Sequence, residues 1–70
     1  MKFEIGKYYK HTGGKLLHIL CAINTTLYGP TLIAETAGRA QEPIMAVGWD
    51  ESAAVNYEET TKEEWMKRFS

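Results

Sequence analysis

Three observations predict a mainly β fold, a small five-stranded SH3-like curled sheet or barrel with a short C-terminal helix. Short runs of strand-favouring residues recur at regular spacing, turn residues separate them, and near Thr61 the hydrophobic period lengthens from two to nearly four. An α+β roll, with the helix lying across an open antiparallel sheet, is the alternative arrangement of the same elements. The 70 residues make a single domain. A chain of this length buries only about 60% of the surface its unfolded form exposes, so its core is small.

Phe3, Ile5, Tyr8 and Tyr9 precede Thr12-Gly13-Gly14-Lys15, which reads as the first arm of a hairpin and its turn. The second arm, Lys15 to Asn24, is the longest apolar run and the expected central strand. Its odd positions Leu17, Ile19, Cys21 and Ile23 are all apolar. The even positions Leu16, His18, Leu20 and Ala22 are nearly so, and both faces therefore call for cover. Turn signals at Asn24-Thr25-Thr26 and Tyr28-Gly29-Pro30 lead into a third strand over Thr31 to Thr36. Ala37 to Ala40 is a short connection, and Pro43 to Val47 is a fourth strand ending at Gly48-Trp49. Asp50 to Ala54 reads as an acidic loop or single helical turn, and Val55-Asn56-Tyr57 as a brief fifth strand. Thr61-Lys62-Glu63-Glu64 fits a capping box. Trp65, Met66 and Phe69 follow at helical spacing, with Trp65 and Phe69 as anchors.

The formal charge is −1, but it divides unevenly. Five cations against Glu4 and Glu35 make residues 1–40 basic, and seven acids against Lys62, Lys67 and Arg68 make residues 41–70 acidic. So small a basic excess argues against generic nucleic-acid binding, because few counterions would be released. No apolar run approaches the ~18 to 20 residues of a membrane span, and the N-terminus lacks a secretory pattern, so a cytoplasmic protein without a membrane partner is expected.

The residues carry no cofactor or catalytic signature. Cys21 lies in an apolar run and is expected to be a small buried hydrophobe. His18, three positions away on a strand, should point to the opposite face, which defeats a Cys–His dyad. Two histidines and one cysteine without metal-ligand spacing make a zinc site unexpected. Gly13-Gly14-Lys15 lacks the earlier glycine of a phosphate loop and has Leu16 where a hydroxyl should hold magnesium. The scattered acids are explained by solvation and by the helix N-terminus.

The cluster with the most functional content is Lys7, Tyr8, Tyr9, Lys10 and His11, aromatic planes interleaved with cations. That composition stacks a ring and meets its phosphates, although tyrosines in a barrel core and lysines guarding an edge would have the same composition. Alternation puts Lys7, Tyr9 and His11 on one face and Lys10 on the other. A ligand site over Lys7, Tyr9, Lys10 and His11, with Trp49 and Asn56 as contributors, is the expectation. A homo-oligomer is also expected, since Ile44 and Ala46 on one face and Met45, Val47 and Trp49 on the other repeat the two-sided apolarity of the central strand.

The order Gly-Lys-Tyr-Tyr-Lys-His-x-x-Gly-Gly, Thr-x-Tyr-Gly, Val-Gly-Trp-Asp-Glu, Asn56-Tyr57 and Glu64-Trp65-Met66 resembles short accessory proteins of bacteriophages and prophages. The resemblance implies a small non-enzymatic protein that acts by binding a host component. Two mechanisms are open: sequestering a small anionic ligand such as a nucleotide signal in a pocket between subunits, or masking a host protein surface.

Overall fold

The computed structural model describes residues 1–37 and 43–69. They form one antiparallel sheet of β1 (Tyr8–His11), β2 (Leu16–Thr25), β3 (Gly29–Ala37), β4 (Ile44–Val47) and β5 (Tyr57–Thr60). The strand order is β4-β3-β2-β1-β5, so four strands run as a meander and the fifth returns to the open side of the first. β4 and β5 do not pair, which makes this a curled open sheet and not a closed barrel. A 3-10 turn over Glu51–Ala54 and the helix α1 (Lys62–Lys67) complete the described elements.

Three strands differ from the sequence reading at a boundary by two residues or more. β3 begins at Gly29, because Gly29 and Pro30, read as turn residues, pair with Thr25 and Asn24. β1 begins only at Tyr8, because the chain turns at Gly6, whose φ of 87° suits glycine, and sends Phe3 into the core. There the Phe3 ring meets Tyr9 and Tyr57 edge-on, at centroid distances of 4.8 and 5.1 Å. β5 runs later than Val55–Tyr57, since its register on β1 pairs His11 with Tyr57 and Tyr8 with Thr60. Glu58 and Glu59 made that stretch look unlike a strand, yet an outer strand tolerates charge. Most of the connection expected over Ala37 to Ala40 lies outside the described residues.

The core occupies the inside of the curl. Tyr9, Leu17, Ile19 and Ala34 are fully buried there, Leu32 and Phe3 nearly so, and Ala54 of the 3-10 turn closes the layer. Each large apolar side chain so buried contributes roughly 1.5 to 3 kcal/mol. Asp50 caps that turn with its carboxylate, which accepts from the Ala53 N–H at 3.3 Å and from the Ser52 hydroxyl at 2.7 Å.

On the outer face α1 lies over the base of the sheet. Thr61 accepts the Glu64 N–H at 3.2 Å, one half of the expected capping box, while the Glu64 carboxylate goes to Thr60 and Lys10. Trp65 then packs with Leu16, Ala37 and Tyr8 in a second, smaller cluster. Phe69 contacts the Trp65 ring but stays 62% exposed, so Trp65 is the anchor and Phe69 only borders it.

β2 changes character at Leu20. Ile19 pairs with Ala34 and Cys21 with Ile33, so Leu20 is an extra residue, a β-bulge. Up to Ile19 the odd positions face the core; beyond Leu20 the parity is reversed, and Cys21 and Ile23 lie on the outer face with Ile33 and Thr31. Cys21 is therefore exposed and not a buried hydrophobe. The same slip puts His18 and Cys21 on one face, contrary to the parity argument. The rest of β2 and the start of β3 form an arm in which residues 20–24 and 26–28 are all exposed.

Candidate functional site

Strand β1 and the turn before β5 bring part of the expected site together. Lys10, His11, Thr12, Val55, Asn56, Tyr57 and Glu58 line a half-open hollow of about 250 Å³. Its frame is fixed by backbone: the Thr12 N–H donates to the Asn56 carbonyl at 3.0 Å, and the Gly14 N–H to the His11 carbonyl at 2.8 Å. His11 Nδ1 accepts the Gly13 N–H at 2.9 Å and its ring meets Tyr57 edge-on at 5.0 Å. That bond fixes the imidazole with Nδ1 as acceptor.

Lys10 projects to the helix side, where its Nζ lies 3.0 Å from Glu64. The same Glu64 carboxylate accepts a short hydrogen bond from the Thr60 hydroxyl. The Thr60 hydroxyl, then Lys10, hold the Glu64 carboxyl below its ordinary value. Lys10 thus already has a carboxylate partner, and Glu58 adds a second acid to the rim of the hollow.

The other expected residues are elsewhere. Tyr9 is 1% exposed and cannot offer a stacking face; its hydroxyl accepts the Glu4 N–H at 2.8 Å. Burial pushes the phenol above its usual value. Lys7 does share the Tyr9 side of the strand as alternation requires, but it pairs with Glu4 at 3.1 Å and Glu59 at 3.5 Å. Those acids, Glu4 first, raise its pKa. Trp49 is exposed, with Lys2 Nζ 5.6 Å from its ring centroid, and does not line the hollow. Of the six expected residues, Lys10, His11 and Asn56 converge, while Lys7, Tyr9 and Trp49 do not.

Two groupings were missed by sequence reasoning. Tyr8 stacks on His18 at 4.3 Å and 15°, and His18 Nδ1 lies 3.1 Å from Glu35 on the neighbouring strand. Both contacts follow from cross-strand pairs, Tyr8 with His18 and His18 with Glu35, which only the register reveals. Cys21 lies beyond them on the same face, and no hydrogen bond joins it to the imidazole among the described residues. The acids of the second half form a border: Asp50, Glu51, Glu58, Glu59 and Glu63 are all exposed, and β5 is an outer strand. The uneven charge division of the sequence had marked this half as acidic.

Among the described residues no group of three His, Cys, Asp or Glu side chains could hold a metal ion, and no buried side-chain nitrogen or oxygen lacks a partner. No helix among them is long and apolar enough to cross a membrane. Compared with family models, curated proteins and solved structures, the chain matches none.

Proposed function

We propose that this chain is a non-enzymatic binding protein that masks a protein partner, in the manner of the phage accessory proteins it resembles, with its acidic border against a basic surface of a host protein. The observation that carries this reading is the position of the carboxylates. Glu58 and Glu59 are exposed on β5, an outer strand whose far edge has no strand beside it among the described residues, and Asp50, Glu51 and Glu63 flank it in sequence. An outer strand offers unpaired backbone groups to an added segment, and the acids select that segment for positive charge.

The nucleotide-sequestering reading keeps one supporting observation, the convergence of Lys10, His11 and Asn56 on one hollow. Its volume of about 250 Å³ falls below the roughly 300 to 1,000 Å³ of ordinary small-molecule sites. With Lys10 held by Glu64 and Tyr9 buried, a phosphate would meet a cation that is already paired and a ligand ring would have no Tyr9 face to stack on.

Affinity capture from host lysate followed by titration of the purified partner tests the first reading. Glu51→Lys with Glu58→Lys should weaken binding by roughly tenfold or more at low salt, and the difference should shrink as salt rises. Equal affinity for wild type and the double variant rejects the acidic border. Calorimetry with linear and cyclic nucleotides covers the second reading, for which heat abolished by Lys10→Ala and Asn56→Ala is the signature.

A further inference from the structure

Along β5 the backbone groups point alternately toward β1 and away from it. The Thr12 N–H, just past β1, donates to the Asn56 carbonyl at 3.0 Å, whereas the His11 N–H turns the other way, to the Lys15 carbonyl at 2.7 Å. With Lys10 opposite Glu58 and Tyr8 opposite Thr60, this parity directs the backbone of Glu58 and Thr60 at β1 and that of Tyr57 and Glu59 outward. The outward N–H and C=O groups of Tyr57 and Glu59 have no partner among the described residues.

The side chains alternate too. Glu58 lies on the helix side with Lys10 and forms no ion pair among the described residues, Lys10 being held by Glu64. Tyr57 and Glu59 lie on the core side, where the half-buried Tyr57 ring packs on Phe3 and Glu59 is paired with Lys7.

We infer that this edge takes one short extended segment of the partner as an added strand, with cationic and apolar side chains alternating along it. A lysine or arginine stands beside Glu58 on the helix side, and an apolar residue beside Tyr57 on the core side. The inference rests on the masking reading above and names what that partner presents. Free backbone groups give the pairing, and the alternation of the strand gives the pattern. The 3-10 turn before β5 and α1 after it confine the pairing to Tyr57–Thr60. Charge selects the occupant. Two copies joined edge to edge about a two-fold axis at Glu58 would set its carboxylate against its own counterpart, and like charges directly opposite destabilise a strand pair. A foreign segment with a cation at that position replaces the repulsion by attraction.

A capped peptide of alternating lysine and valine, about eight residues long, is the probe, titrated into the full chain and followed by amide NMR. In the free chain the Glu58 and Thr60 amides should exchange slowly and those of Tyr57 and Glu59 fast; saturating peptide should slow the latter two. N-methylation of the valines, whose N–H groups face β5 in this register, should weaken binding at least about tenfold, and N-methylation of the lysines should leave it unchanged. Glu59→Pro removes the outward N–H together with the charge, a change that an outer strand tolerates and whose folding circular dichroism checks. It should bind the peptide at least about tenfold more weakly than Glu59→Gln, which removes the same charge and keeps the N–H. If Glu59→Pro does not fold, the N-methylated peptides decide. A peptide that does not bind, binding indifferent to N-methylvaline, or equal affinity of the two folded Glu59 variants overturns the inference. Where that happens while Glu51→Lys with Glu58→Lys still weakens the captured partner, the acidic border stands and only the added strand falls.

Discussion

Replacing Trp65 by alanine tests whether the helix is part of the cooperative fold. The indole is only 5% exposed and touches Tyr8, His18, Phe69 and the Leu16–Ala37 pair. A tryptophan in such a site buries about 200 Å² or more, which at ~25 cal/mol per Å² gives about 5 kcal/mol as an upper figure. A compact unfolded chain lowers this by about a third, to roughly 3 kcal/mol, the lower end of measured Trp→Ala losses. A domain of this size has only about 4 to 10 kcal/mol in total. The melting temperature should therefore fall by about 12 °C or more, read by calorimetry or circular dichroism. A six-residue helix has no stability of its own, so its amides should lose hydrogen-exchange protection as well. Phe69→Ala, at an exposed ring, should move the midpoint far less. If Trp65→Ala shifts it by under about 4 °C, or no more than Phe69→Ala does, the helix is loosely docked and the burial argument fails.

Tyr9→Phe should cost about 1 kcal/mol, because the Glu4 N–H loses its acceptor. The same variant should blunt alkaline unfolding: the phenol is raised by burial, so its contribution is intact below the ordinary value near 10 and is lost as pH climbs through the higher folded value, which a pH series of melting curves will show. Glu64→Gln should flatten the acid side of that series, since a carboxyl held low by Thr60 and Lys10 stabilises the fold above its ordinary pKa and ceases to as pH falls through the lowered one. An acid limb identical to wild type would count against the Thr60–Glu64–Lys10 contact. Deleting Leu20 should leave the protein folded, because it is the unpaired residue of the bulge, whereas deleting Ile33 removes a paired residue from the facing strand; equal losses in melting temperature would show that the bulge does not absorb the change.

Most of the fold was legible because its cues are local. Gly13-Gly14 marks the first turn, Thr61 and Glu64 mark the helix start, and Trp65 at helical spacing marks its buried side. β5 was displaced because Glu58 and Glu59 are poor strand formers by composition, and only the partner strand β1 makes Tyr57–Thr60 extended. Phe3 was assigned to a strand it does not enter, because aromatic composition cannot tell a strand residue from one folded back into the core. The turn at Gly6 decides between them, and an isolated glycine is a weak cue.

The site was less legible for a related reason, that alternation gives the face of a strand but not which face is the inside. Tyr9 and His11 do share a side, yet one is sealed under Phe3 and the other lines a hollow at the strand's end. Depth along the strand separates a core tyrosine from an accessible imidazole, and that depth depends on the length of β5 and on the segment before Gly6. The bulge at Leu20 acts in the same way on the other face. A strict period of two places Cys21 with Leu17 and Ile19; one unpaired residue moves it, with Ile23, to the side of Ile33 and Ile44. An apolar run that seemed to need cover on both sides is thus divided. Its first half is buried by the core and the helix, and its second half, from Leu20 to Asn24, lies in the exposed arm beyond them.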